Sequence, residues 1–147
     1  MQSSRLRQKE LRIRNSVKRV VRPAQNEFRD ILDRLRKKVP SIQAVVLAGP
    51  DEVLDCLLVD PALDLDTIAA EYATLLRIAG RTSQDTGAGT LIEQIVVSHK
   101  SIMIARSVSP EEFLILLCRT QDQIGRARYE LRHAAWEIQR RGVSKKA

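Results

Sequence analysis

The sequence predicts an α+β domain: a five-stranded antiparallel sheet covered by helices on both faces, in the order α-β-β-α-β-β-β-α. Three observations carry this prediction. Apolar residues recur at helical spacing in three segments, and five short runs rich in Val, Ile and Leu lie between them, separated by turn residues. A chain of 147 residues suits one core with tails and is too short for two. Hydrophobic residues at 44% with charged residues at 29% are the composition of an ordinary globular protein, and no apolar run approaches the roughly 18 residues of a membrane-spanning helix.

The formal net charge of +7 resides at one end. Residues 1–22 carry Arg5, Arg7, Lys9, Arg12, Arg14, Lys18, Arg19 and Arg22 against Glu10 alone, and the remainder is formally neutral. The chain therefore divides into a basic tail (1–22), a domain (23–141) and a short basic end (142–147). The tail lacks the apolar stretch of a secretory signal, so the sequence reads as cytoplasmic. Cys56 and Cys118 sit in apolar runs, where a reduced thiol is a small hydrophobe.

Phe28, Ile31, Leu32, Leu35 and Val39 mark a first amphipathic helix over residues 26–39, with Asn26 as N-cap, Arg36-Lys37-Lys38 at the negative end of its dipole and Pro40 as the stop. Residues 42–48 and 53–59 form a hairpin about Gly49-Pro50-Asp51-Glu52. Asp60-Pro61 ends the second strand. Asp64 or Asp66 then caps a helix over 65–79, terminated by Gly80, with Ile68, Tyr72, Leu75, Leu76 and Ala79 on one face and the small residues Ala69, Ala70 and Ala73 on another, a surface that lets a second element approach closely. Residues 81–89 read as a loop. Strands at 90–98, 101–107 and 112–118 follow as a meander, with turns at His99-Lys100 and Ser109-Pro110. A closing helix over 122–140 carries Ile124, Ala127, Leu131, Ala134, Ala135 and Ile138 on one stripe. Tyr129, His133 and Trp136 form a neighbouring stripe, either a contact surface or packing on the sheet, and packing is the favoured reading.

Catalytic chemistry finds little support. Gly87-Ala88-Gly89-Thr90 lacks the Lys-Ser/Thr of a phosphate loop and leads into a strand, whereas phosphate is held at a helix N-terminus. Asp60, Asp64 and Asp66 suit helix capping better than cation binding. His99 and His133 have no neighbours that would complete a triad or a zinc site, and no cofactor or metal is implied. The tail has three readings: a solvated arm, an amphipathic helix (Leu6, Ile13, Val17, Val20) for anionic lipid or a partner, or a nucleic-acid arm without aromatics to stack on bases.

The pattern Phe28-x-x-Ile31-Leu32-x-x-Leu35 with Val39-Pro40, then Ala44-Val45-Val46-Leu47-Ala48 and a Gly-Pro-Asp turn, resembles the opening of the Roadblock/dynein light-chain family. Ile68-Ala69-Ala70-Glu71-Tyr72 is similar to that family's second helix, Gly89-Thr90-Leu91-Ile92-Glu93 to the start of its third strand, and the run 124–131 to its closing helix, especially in the bacterial branch. The likeness spans about residues 26–139 and leaves out the basic tail. It implies a Roadblock/profilin-like fold and a non-catalytic homodimer whose second helices lie antiparallel and whose third strands join edge to edge. It also implies a small Ras-like GTPase as partner. On that footing the dimer interface is expected at Ala69, Ala70, Ala73, Leu76, Leu91, Glu93 and Ile95, and partner contacts at Glu71, Thr74 and Arg77. An arginine finger could come from Arg77, Arg81 or Arg106. The alternative reading is a dimeric scaffold targeted to anionic membrane or nucleic acid through the basic tail, which lies outside the likeness.

Overall fold

The structure, a computed structural model, describes residues 26–119 and 124–142; the tail contacts expected at Arg5 to Arg22 and the helix start expected at Asp122 lie outside them. A 3-10 turn, Asn26–Phe28, leads into α1 (Arg29–Lys38), followed by β1 (Ile42–Ala48), β2 (Val53–Leu58), α2 (Leu65–Asp85), β3 (Glu93–Val97), β4 (Ile102–Ser107), β5 (Phe113–Cys118) and α3 (Ile124–Arg141). Element order and sheet class agree with the sequence reading. The strands lie in the order β2-β1-β5-β4-β3, each pair antiparallel. β1 and β5 are thus central, which is why β1 is buried at every position, while β2 and β3 form the two edges.

Strand alternation divides the core in two. On one face, Val45, Leu47, Ile104, Leu114 and Leu116 meet Ile31, Leu32 and Leu35 of α1 and Leu131, Ala134, Ala135 and Ile138 of α3. On the other, Ala44, Val46, Met103, Ala105, Ile115 and Leu117 meet Ile68, Ala69 and Leu76 of α2. Each fully buried aliphatic side chain contributes about 1.5–3 kcal/mol relative to exposure. The two-helix face therefore holds most of the helical anchoring: α1 and α3 bury eight residues between them, whereas the 21-residue α2 buries three. Ion pairs lace α1 to α3 along their outer seam, Arg34 to Glu137 at 2.8 Å and Arg141 to Asp30 at 2.7 Å.

Four local expectations are corrected. Asn26 is not the cap of α1, because it opens the 3-10 turn and the α-helix starts only after Phe28, with no side-chain cap. α2 runs through Gly80 to Asp85, so most of the loop expected at 81–89 is helix. Its end is set by a paired backbone lock, Ala88 N–H to Ser83 C=O at 2.9 Å and Gly87 N–H to Gln84 C=O at 3.1 Å, with Gly87 at φ +80°; this is the hydrogen-bond pattern of a left-handed glycine stop. Gly80 has open space where a Cβ would sit, so nothing there demands glycine. β3 is shorter than the expected 90–98. Finally, Tyr129, His133 and Trp136 do not pack on the sheet. Both large rings are at least half exposed, because Ala127, Leu131 and Ile138 already fill the inward stripe.

Candidate protein-interaction surface

α2 is placed by Asp64, whose carboxylate accepts from the Asp66 and Thr67 N–H groups at its first turn. Asp60 is held in the preceding turn, accepting from Ala62 N–H at 3.0 Å and from Arg119, and those bonds hold its carboxyl below the usual carboxylate range. Asp60 and Asp64 thus serve the chain's own backbone, Asp64 as the cap of α2. Among the described residues no group of three or more His, Cys, Asp or Glu could hold a metal ion.

With Ile68, Ala69, Tyr72 and Leu76 turned to the sheet, helical spacing turns Ala70, Glu71, Thr74, Arg77, Ile78 and Arg81 outward. This corrects part of the expected small-residue face. Ala69 and Leu76 are 4% and 2% exposed within one chain and have no surface left to offer, while Ala70 and Ala73 remain partly open. Glu71, Thr74 and Arg77 are exposed, on the outer face where the sequence placed them. Ile78, 60% exposed, was missed because its polar neighbours hide it; the spacing Ala70-Thr74-Ile78 (i, i+4, i+8) is the signal that would have found it. Thr74 and Thr82 donate their hydroxyls to the helix carbonyls of Ala70 and Ile78, each at 2.9 Å. Their methyl groups, not their hydroxyls, are then free to meet a neighbour.

β3 offers a second unpaired surface. Ser107 N–H donates to Ile92 C=O at 2.8 Å at one end of the β3–β4 ladder, and Ser98 N–H to Ser101 C=O at 2.9 Å at the other. Antiparallel pairs alternate between bonded and non-bonded, so the Glu93, Ile95 and Val97 positions direct their N–H and C=O groups away from β4, to the open edge. Ile92 and Val97 are exposed beside them. On the α2 face of the same strand, Gln94 Oε1 is buried with no hydrogen-bond partner among the described residues. Leu91 and Ile95 are partly buried against the two cores. Glu93 bonds Arg128 of α3 at 2.7 Å and lies 3.9 Å from Arg106.

A cavity of about 510 Å³ opens between the C-terminal half of α2 and the β1–β2 and β4–β5 turns, with Ala73, Leu76, Pro50 and Phe113 on its walls and Arg77 and Arg81 at its rim. The structure thus brings two of the three candidate arginines to one place, and puts Arg106 on the far side of the sheet with α3. Cys56 and Cys118 are free thiols on opposite faces of the sheet. Burial pushes both thiols up, which makes them poor nucleophiles. The Gly87-Ala88-Gly89 stretch follows a helix C-terminus, where carbonyls rather than amides face outward, so it does not cradle phosphate.

No family model and no curated protein match the chain. Solved structures do. The fold is similar to that of Myxococcus xanthus MglB, 16% identical with a TM-score of 0.72 over 81% of this chain and 90% of that one. It is also similar to MglC from the same organism, 29% identical with a TM-score of 0.56 over 78% and 98%. A Roadblock/LC7 domain from Streptomyces avermitilis matches at 18% identity and a TM-score of 0.65 over 76% and 93%.

Proposed function

We propose that this chain, which has the Roadblock/LC7 fold of MglB and MglC, is a non-catalytic homodimeric adaptor that binds and regulates or scaffolds a small Ras-like GTPase. The observation that carries the self-association is the free β3 edge, together with an outer α2 face on which Ile78 stands exposed. An unpaired edge with outward N–H and C=O groups is a template for another strand, and the orphaned Gln94 Oε1 is a buried acceptor awaiting a donor. Edge pairing sets α2 beside its two-fold mate, where Ala70 and Ala73 permit close approach. Leu91, Glu93 and Ile95 complete the interface; Ala69 and Leu76 support it from beneath.

The joined α2 helices form the surface proposed for the GTPase, with Glu71, Thr74 and Arg77 as contacts. By holding the switch segments in one arrangement the dimer shifts the GTPase between its nucleotide states. Arg77 and Arg81, at the rim of one cavity, are the residues able to reach a bound phosphate chain if the adaptor contributes an arginine finger. The basic tail acts as an address for an anionic membrane or nucleic acid, an assignment resting on its charge alone. Capture of a GTPase from the native cell by the full-length chain, with identification of the bound nucleotide, tests the reading. It is abandoned if capture is unchanged in the Arg77→Glu, Thr74→Arg variant or if light scattering gives the mass of one chain at micromolar concentration.

A further inference from the structure

A second surface lies on the opposite face of the sheet and takes no part in the reading above. The chain contains one Trp and two Tyr, and α3 exposes Trp136 (50%) and Tyr129 (60%) on its outer stripe, two helical turns apart. Trp136 is held ready: the His133 ring stacks on it at 6.0 Å between centroids and 21° between planes, and the Arg140 guanidinium sits 4.7 Å from the ring centre. His133 Nε2 in turn lies 3.2 Å from Glu137, which is bonded to Arg34 of α1. The indole is thereby tied to the body of the domain before any partner arrives. Beside it runs a cavity of about 390 Å³ between α3 and the end of β4, with Arg106, Arg132, Tyr129 and Trp136 on its walls and Ala135 at its base.

The charge around this groove is one-sided. Helical spacing puts Glu130 and Glu137 on the flank of α3 that faces α1 and puts Arg128 and Arg132 on the flank that faces β4. There Glu93 serves both Arg128 and Arg106, while among the described residues Arg132 and Arg140 have no carboxylate partner. We propose that this groove docks an acidic, extended segment of a partner protein, its carboxylates meeting Arg132 and Arg106 and an apolar side chain entering beside Trp136. A braced indole beside arginines in a concave site is the composition of a binding hot spot, and planar guanidinium groups match carboxylates. Residues 1–22 and Lys145-Lys146 are basic and do not suit the groove, and a second copy meeting it with this same face would bring the same cations to face these. A flat anionic membrane would leave the concavity unfilled.

Because Trp136 is the chain's single tryptophan, its fluorescence reads the site directly. Full-length protein is titrated with a peptide in which Asp and Glu alternate with Leu and Phe, and with its counterpart in which Lys replaces the acids. The acidic peptide shifts Trp136 emission, the basic one does not, and Arg132→Glu weakens binding by about tenfold or more while leaving the mass of the particle unchanged. Equal affinity in Arg132→Glu overturns the proposal. So does peptide binding that is lost when Arg12, Arg14, Lys18 and Arg19 are replaced by Gln, which assigns it to the tail. A change of mass in Arg132→Glu assigns the face to self-association, and an emission shift with phosphatidylserine vesicles but none with the peptide assigns it to a membrane; either result overturns the proposal. Capture of the GTPase tests a different face, so the two readings fail separately.

Discussion

Replacing Val97 with proline tests the strand edge with little disturbance to the domain. Val97 closes β3, its side chain is 55% exposed, and its N–H points away from β4, so the substitution removes no hydrogen bond within the chain. In a two-fold antiparallel pairing centred on Ile95, positions 93, 95 and 97 exchange roughly six interchain hydrogen bonds. Val97→Pro deletes roughly two of these and leaves the opposing Glu93 carbonyl on each copy unpaired. At about 1 kcal/mol net per bond, the loss is about 2 kcal/mol, or roughly thirty-fold in the dimer dissociation constant. Sedimentation across a dilution series measures this, Val97→Thr serves as the control that keeps the N–H, and thermal unfolding should shift by no more than about 0.5 kcal/mol in the monomer. A Val97→Pro dissociation constant within about threefold of the parent, with the chain still folded, would show that β3 is not the seam.

Ile78→Glu puts a charge on the outer α2 stripe and should raise the same dissociation constant about tenfold or more without lowering the melting temperature of the monomer; sedimentation and circular dichroism together check both halves. Leu131→Ala opens a cavity at a fully buried position and should cost about 2–5 kcal/mol in urea unfolding. Asp30 is held at a pKa of about 2 by its hydrogen bonds with Arg141, below its unfolded value, so its contribution is complete above about pH 4 and is lost as pH falls through about 2. Solvent screening of this exposed pair limits that contribution to about 1 kcal/mol. Asp30→Asn should therefore be less stable than the parent at pH 7 by up to that amount, with a gap that narrows steadily as pH falls from about 4 through about 2, as urea midpoints across that range would show.

Much of the fold was legible because its signals are local. β1 was bounded to the residue: seven apolar-rich positions between Pro40-Ser41 and Gly49-Pro50 have no alternative to a buried central strand. α1 and the inward stripe of α3 follow from a 3.6-residue period that one core satisfies. The extent of α2 was not legible. Gly80 and Gly87 look alike in a sequence, and only the bonds from Ala88 and Gly87 back to Ser83 and Gln84 decide which one ends the helix. The candidate site was half legible for the same kind of reason. Glu71, Thr74 and Arg77 lie outward as polarity suggests, yet Ala69 and Ala70, adjacent and chemically identical, differ by a 100° step that sends one into the core and leaves the other at the surface.

From the sequence alone came the order of elements, the antiparallel class of the sheet and the division of charge between tail and domain, since each depends on residues near one another along the chain. The tertiary structure alone decided which positions of β3 turn their N–H and C=O groups outward, which alanines are free and which cations share a single carboxylate. Those properties depend on what lies across from a residue, and an amphipathic pattern specifies that one face is buried without specifying what remains uncovered on the other. The aromatic stripe of α3 shows the difference: Tyr129 and Trp136 have the composition of a core, and they face outward because Leu131 and Ile138 already occupy the space beneath the helix.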